Sequence, residues 1–93
     1  MKYTVVPTSR FRKELKKAVK RGLRTQLLEQ IIETLANGEA LLPQYRDHEL
    51  SGNFKGYHEC HIQSDWLLIY KIYQNELILS LERTRTHSDL FRE

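Results

Sequence analysis

The chain has 93 residues, 40% hydrophobic and 29% charged, with a formal net charge of +3, the profile of one globular domain spanning 1–93. No apolar run approaches the about 20 residues that cross a bilayer, no secretory pattern opens the chain, and the lone Cys60 cannot build a disulfide framework. Membrane and secreted classes are therefore set aside, and a reducing cytoplasm is the expected location.

The charge is unevenly placed. Residues 1–24 carry nine Lys/Arg and one acid, Glu14, whereas residues 25–93 carry six Lys/Arg and eleven acids. The positive charge thus belongs to one segment, a solvated helix face or a footprint for nucleic acid or an acidic protein.

In chain order, Tyr3-Thr4-Val5-Val6 reads as a short strand closed by Pro7. Thr8 or Ser9 can cap a helix starting near Arg10. Phe11, Leu15, Ala18 and Val19 fall on one face of it, with most of the basic residues opposite, and Gly22 suits its end. A second helix is expected over about 24–37, with Leu27, Leu28, Ile31, Ile32 and Leu35 inward and Gly38 as its stop. The short link predicts an antiparallel helical hairpin. Residues 39–53 show no regular period. From Phe54 the period becomes two: a strand to Ile62, a turn at Gln63-Ser64, a strand over Trp66–Tyr73, a turn at Gln74-Asn75 and a strand over Leu77–Thr84. Ser88 to Arg92 can add one helical turn. The order β-α-α-β-β-β predicts an α+β fold, an antiparallel sheet with the N-terminal helical hairpin packed on one face.

Four histidines, His48, His58, His61 and His87, all lie in the second half. Histidine transfers protons near neutrality, its ordinary pKa being about 6.5. Strand alternation puts Glu59 and His61 on one face and His58 and Cys60 on the other. That alternation, and the absence of paired ligand spacing, argue against a zinc site in His58-Glu59-Cys60-His61, so no metal is expected. Each histidine alone has an ordinary explanation as an exposed or hydrogen-bonded residue. Number, and placement beside loops and strand ends, make a histidine-based site the alternative.

The run Tyr45-Arg46-Asp47-His48-Glu49-Leu50-Ser51-Gly52, then Lys55-Gly56-Tyr57, Glu59-Cys60-His61, Asp65-Trp66-Leu67-Leu68-Ile69-Tyr70-Lys71 and Glu82-Arg83-Thr84-Arg85-Thr86-His87-Ser88-Asp89-Leu90-Phe91, resembles the YafQ-type toxins. These are a branch of the RelE/ParE superfamily of bacterial type II toxin–antitoxin systems. The likeness spans roughly residues 3–91 and is most specific from Tyr45 onward.

The resemblance implies a ribosome-dependent mRNA endoribonuclease that uses no metal or other cofactor. In such an enzyme the RNA 2′-hydroxyl attacks the adjacent phosphate, leaving a 2′,3′-cyclic phosphate and a 5′-hydroxyl. Carried over by motif, His87 is the general acid. His48 and His61 are candidates for base or for hydrogen bonding to the transition state. Asp65 orients a histidine or contacts the base, Arg83 neutralises the phosphorane and Lys55 assists. Trp66 and Phe91 shape the pocket or stack on nucleotides, while His58 has no implied role. Two departures bear on substrate binding. Glu59 stands where some members have Asp, and Arg85 where a small residue can occur, adding a cation that can grip phosphate beside His87. The basic helix, with Arg12, Lys13, Lys16, Lys17, Lys20 and Arg21, would hold ribosomal RNA. A cognate antitoxin is implied as partner, with operator DNA reached only through their complex and no membrane involved. Two other readings are a catalytically idle relative serving as an antitoxin-binding co-repressor, and a gyrase-poisoning toxin, which would lack such a histidine set.

Overall fold

A computed structural model describes residues 1–86, so the turn expected over 88–92 lies outside the described residues. Strand β1 (Thr4–Pro7) leads into helix α1 (Ser9–Lys20), followed by α2 (Thr25–Ala36), the two-residue strand β2 (His48–Glu49), and strands β3 (Tyr57–Gln63), β4 (Trp66–Tyr73) and β5 (Ile78–Thr86). Single 3₁₀ turns at Pro43–Tyr45 and Gly52–Phe54 flank β2. Phe54 lies in the second of these, so β3 starts three residues later than the apolar pattern indicates. The pattern registers an aromatic residue but not that its side chain is exposed.

Local chemistry explains the helix ends. The Thr8 hydroxyl accepts from the Phe11 N–H at 3.1 Å, capping α1, and donates to the Leu81 carbonyl at 2.9 Å, tying the helix start to β5. At the other end Leu23 N–H reaches the Ala18 carbonyl and Gly22 N–H the Val19 carbonyl, with Gly22 at φ +77°. That closing turn needs the left-handed conformation glycine supplies.

The five strands form one sheet in the order β1-β5-β4-β3-β2. Strands β2 to β5 pair antiparallel with their neighbours, while β1 pairs parallel with β5, Thr4 opposite Ile78 and Pro7 opposite Leu81. The sheet is therefore mixed. Short turns force β3, β4 and β5 to alternate in direction, but the β1–β5 pairing closes across most of the chain, and no local pattern encodes its sense.

Cross-strand partners share a face of the sheet, so the register assigns both faces. Cys60 opposes Leu68, His58 opposes Tyr70, and Tyr70 opposes Leu81. Cys60, Leu68, Tyr70 and Leu81, with Trp66 and Leu79, pack with Phe11 and Ala18 of α1 and Leu28, Ile31 and Leu35 of α2. That is the covered face, and the helices lie on it as expected. On the opposite face lie Glu59, His61, Leu67, Ile69, Arg83 and Arg85, in rows set by the same register.

A bulge decides which β5 side chains reach this second face. Tyr70 pairs with Leu81 and Ile69 with Arg83, so Glu82 is left without a β4 partner. One extra residue reverses the alternation from there on. Leu79 and Leu81 face the helices, whereas Arg83 and Arg85, of the same parity, oppose Ile69 and Leu67 on the other side.

Thr8→Ala removes the hydroxyl's bonds to the Phe11 N–H and to the Leu81 and Glu82 carbonyls at once. The expected loss is about 1–2 kcal/mol of unfolding free energy, read from urea denaturation midpoints.

Candidate active site

Two rows of residues cross the face that the helices leave uncovered. His48, Glu59, Ile69 and Arg83 are successive partners from β2 to β5, and His61, Leu67 and Arg85 form the adjacent row. With strands about 4.8 Å apart, backbone separations are about 14 Å from His48 to Arg83 and about 10 Å from His61 to Arg85. Histidines stand at one side, arginines at the other, over a floor of Ile69 and Leu67.

At the histidine side, His48 is half exposed and its Nδ1 lies 2.7 Å from the Arg46 carbonyl oxygen. A carbonyl only accepts, so Nδ1 carries a proton, and in the neutral ring Nε2 presents a lone pair. Arg46 adopts the left-handed conformation, φ +51°, in the turn leading to β2. Nε2 lies 3.5 Å from Glu59 Oε1, the residue across from it in the sheet. A proton taken up at Nε2 would meet a carboxylate there. The His61 ring lies 6.5 Å from that of His48, centroid to centroid. Glu59 thus reaches His48 across the strand pair.

At the arginine side a residue outside the sequence-derived set is central. Glu14 of α1 accepts from Arg83 Nη2 at 2.6 Å and Nε at 3.3 Å, accepts the Thr84 backbone N–H at 3.1 Å, and lies 3.5 Å from Arg85 Nε. The bidentate geometry is the strong form of this ion pair. The available sequence signal was that Glu14 is the single acid of the basic segment; its partners lie about seventy residues away and could not be read. Two guanidinium groups thus share one carboxylate.

Other expectations need correction. Trp66 is 1% exposed and donates through Nε1 to Thr84 Oγ1 at 2.8 Å. It supports the floor from the covered face and offers no ring for stacking on a nucleotide. Arg85 is 6% exposed and braced against Glu14, so it is no solvent-facing phosphate grip. The Nε and Nη2 of Arg83 are committed to Glu14, which reduces the charge it can offer an anion. Asp65 is exposed in the β3–β4 turn, and no bond to a histidine is seen among the described residues. Lys55 is exposed ahead of β3. His87 and Phe91 lie outside the described residues.

Arg12, Lys13, Lys16, Lys17, Lys20 and Arg21 are all exposed along and just past α1, with Arg21 Nη1 reaching Thr86 Oγ1 at 3.4 Å. His58 belongs to the opposite face from His61, as alternation requires. It stacks on Tyr70 at 5.2 Å, with Nδ1 3.9 Å from Asp47 Oδ1. Cys60 is fully buried beside this cluster. Burial, then the charges of Asp47 and Glu59, push its thiol up from 9.0 to about 12. No three His, Cys, Asp or Glu side chains converge as a metal site among the described residues.

Comparison with known proteins places this geometry. The family model for the bacterial toxin of type II toxin–antitoxin systems, YafQ, matches residues 3–92. The mRNA interferase toxin YafQ of Escherichia coli strain K12 is 39% identical over 85 residues, covering 90% of each chain. The structure of E. coli YafQ in complex with DinJ superposes with a TM-score of 0.85 at 36% identity, covering 96% of this chain and 98% of that one. A metal-bound toxin from Helicobacter pylori superposes at 0.88 with 40% identity, covering 96% and 99%.

Two outcomes follow. Glu14→Ala removes one partly buried carboxylate from three partners, Arg83, the Thr84 N–H and Arg85, and should lower unfolding free energy by about 2–4 kcal/mol, measured by urea titration. An unfolded chain ionises Cys60 above about pH 9, while the folded chain holds the proton to about 12. The thiol's contribution to stability is thus complete below pH 9 and declines between 9 and 12. At pH 8 native protein should resist iodoacetamide and react on unfolding in urea, as followed by mass spectrometry; rapid native alkylation would contradict the burial.

Proposed function

Since the chain belongs to the YafQ family of bacterial toxins of type II toxin–antitoxin systems, we propose that it is an mRNA interferase, an endoribonuclease that cuts translated mRNA at the ribosome and so inhibits protein synthesis. The observation that carries the catalytic reading is the His48 ring, with its tautomer set by the Arg46 carbonyl and its Nε2 beside Glu59.

Cleavage by the RNA's own 2′-hydroxyl requires a group to take that proton, charge complementary to the phosphorane, and a donor for the departing 5′-oxygen. His48 Nε2 takes the 2′-OH proton. Glu59 stabilises the imidazolium that forms, and His61, on the same face, hydrogen-bonds to the phosphate. The Arg83 guanidinium, held in place by Glu14, offsets the charge gathering on the nonbridging oxygens, with Lys55 contributing from the adjacent loop. His87, which follows β5 directly in the chain, protonates the 5′-oxygen, and Phe91 and Asp65 contact the RNA. The products are a 2′,3′-cyclic phosphate and a 5′-hydroxyl. The metal-bound state described for the H. pylori relative belongs to that protein, and no step here passes through a metal.

The exposed basic residues of α1 hold ribosomal RNA, an interaction that weakens steeply with salt. The complex of the E. coli relative with DinJ supports a cognate antitoxin as the second partner, and the positive balance of residues 1–24 favours an acidic one. DNA is approached only through that complex.

Induced expression with mapping of RNA 5′ ends tests the activity. In-frame cuts in translated messages are expected; uncut RNA would favour an idle co-repressor, and DNA breaks a gyrase poison. With purified protein and programmed ribosomes, His48→Ala and His87→Ala should each lower the cleavage rate at least 100-fold, on the order of the contribution of general acid–base catalysis, with unchanged melting temperatures. Full cleavage by either variant rejects its assignment.

A further inference from the structure

His48 stands on a weak platform. Strand β2 has two residues, both exposed, at the edge of the sheet, and pairs only with His58 and Glu59. Few ladder bonds hold it, and a two-residue edge strand gives little rigidity by itself. Yet the tautomer of His48 depends on a 2.7 Å bond to a carbonyl two residues earlier. Between them lies Asp47.

We propose that Tyr70 and Asp47 are positioning residues for His48, locking the Arg46–Asp47 peptide from the covered face of the sheet so that His48 presents its Nε2 lone pair on the uncovered face. The Tyr70 hydroxyl donates to Asp47 Oδ1 at 2.6 Å. Tyr70 sits in the middle of β4, is 2% exposed and is packed in the core, so its oxygen is a fixed point. Its ring is further held by the His58 stack. Burial, then the bond to Asp47, hold the phenol far above its ordinary range, so it remains a donor. Asp47 cannot swing away without giving up this short bond to an anion, one of the stronger classes of hydrogen bond. Its backbone carries the Arg46 carbonyl on one side and His48 on the other. A rotation of that peptide withdraws the acceptor from Nδ1, allowing the proton to move to Nε2, where it blocks proton uptake. Misplacement by about 1 Å costs catalysis about 100-fold in general.

This inference rests on His48 being the proton acceptor, so its test needs a readout besides activity. Tyr70→Phe removes the hydroxyl and leaves the ring and its packing. The expected result is a fall in kcat of about 10- to 100-fold with KM nearly unchanged and a cooperative, folded melting transition retained. In ¹⁵N NMR of histidine-labelled protein, His48 should change from a single Nδ1–H tautomer to a mixture. Asp47→Ala should behave alike. Asp47→Asn, which keeps an oxygen to accept from Tyr70, should retain both the tautomer and most of kcat. A Tyr70→Phe variant with wild-type kcat, or an unchanged His48 tautomer in both Tyr70→Phe and Asp47→Ala, overturns the positioning role. If His48→Gln cleaves normally, the proton-acceptor reading fails instead, and the tautomer measurement still decides whether Tyr70 and Asp47 govern the ring.

Discussion

The end of β5 depends on one carboxylate. Strand β1 covers β5 only as far as Leu81, where Pro7 ends the pairing and the chain turns into α1. Beyond that point the β5 backbone would present unpaired groups along an edge, a costly arrangement next to a packed core. Glu14 supplies the missing acceptor. It takes the Thr84 N–H and grips Arg83, so the helix stands in for a strand. The same contact crowds two guanidinium groups into a small space, where their mutual repulsion needs an anion between them. Helix docking, completion of the edge and the electrostatics of the arginine side are therefore one interaction.

What that edge carries is set by the bulge at Glu82. Core packing demands that Leu79 and Leu81 face the helices, and regular alternation would have sent Arg83 and Arg85 into the same apolar layer. Unpaired charges there would be strongly disfavoured. The extra residue turns both to the uncovered face, where they complete rows that begin at His48 and His61. The covered face keeps Thr84, whose hydroxyl accepts from Trp66 and donates to the Leu67 carbonyl, so the polar group buried by the shift is fully bonded. One inserted residue thus serves core and site together.

The histidine side shows a different division. His48 and His61 stand on the uncovered face and His58 on the other, yet the two sets meet through the chain at Asp47-His48. The covered-face cluster of Tyr70, His58 and Asp47 is the structural base beneath the exposed ring. Its chemistry is that of a clamp: a deeply buried phenol that stays protonated, a carboxylate that accepts from it, and a thiol, Cys60, kept neutral by burial.

The sequence alone determined the two helices, the three long strands, the packing of the helices on one side of the sheet, the separation of His58 from His61 and the family, because helical and strand periodicities are local and motifs survive as ordered neighbours. It also drew attention to His48, His61, Arg83 and Glu59. Its readings of Trp66 as a pocket wall or stacking ring and of Arg85 as a cation for phosphate did not anticipate that both are buried, because residue type says nothing of burial when a polar partner such as Thr84 or Glu14 lies far away in the chain. Only the tertiary structure decided that β1 runs parallel to β5, that Glu14 binds the arginines, that the bulge turns Arg83 and Arg85 to the face away from the helices and that Tyr70 holds Asp47. Each of these depends on contacts between residues distant in sequence, and a pairing register or a shared carboxylate leaves no periodic trace in the chain that forms it.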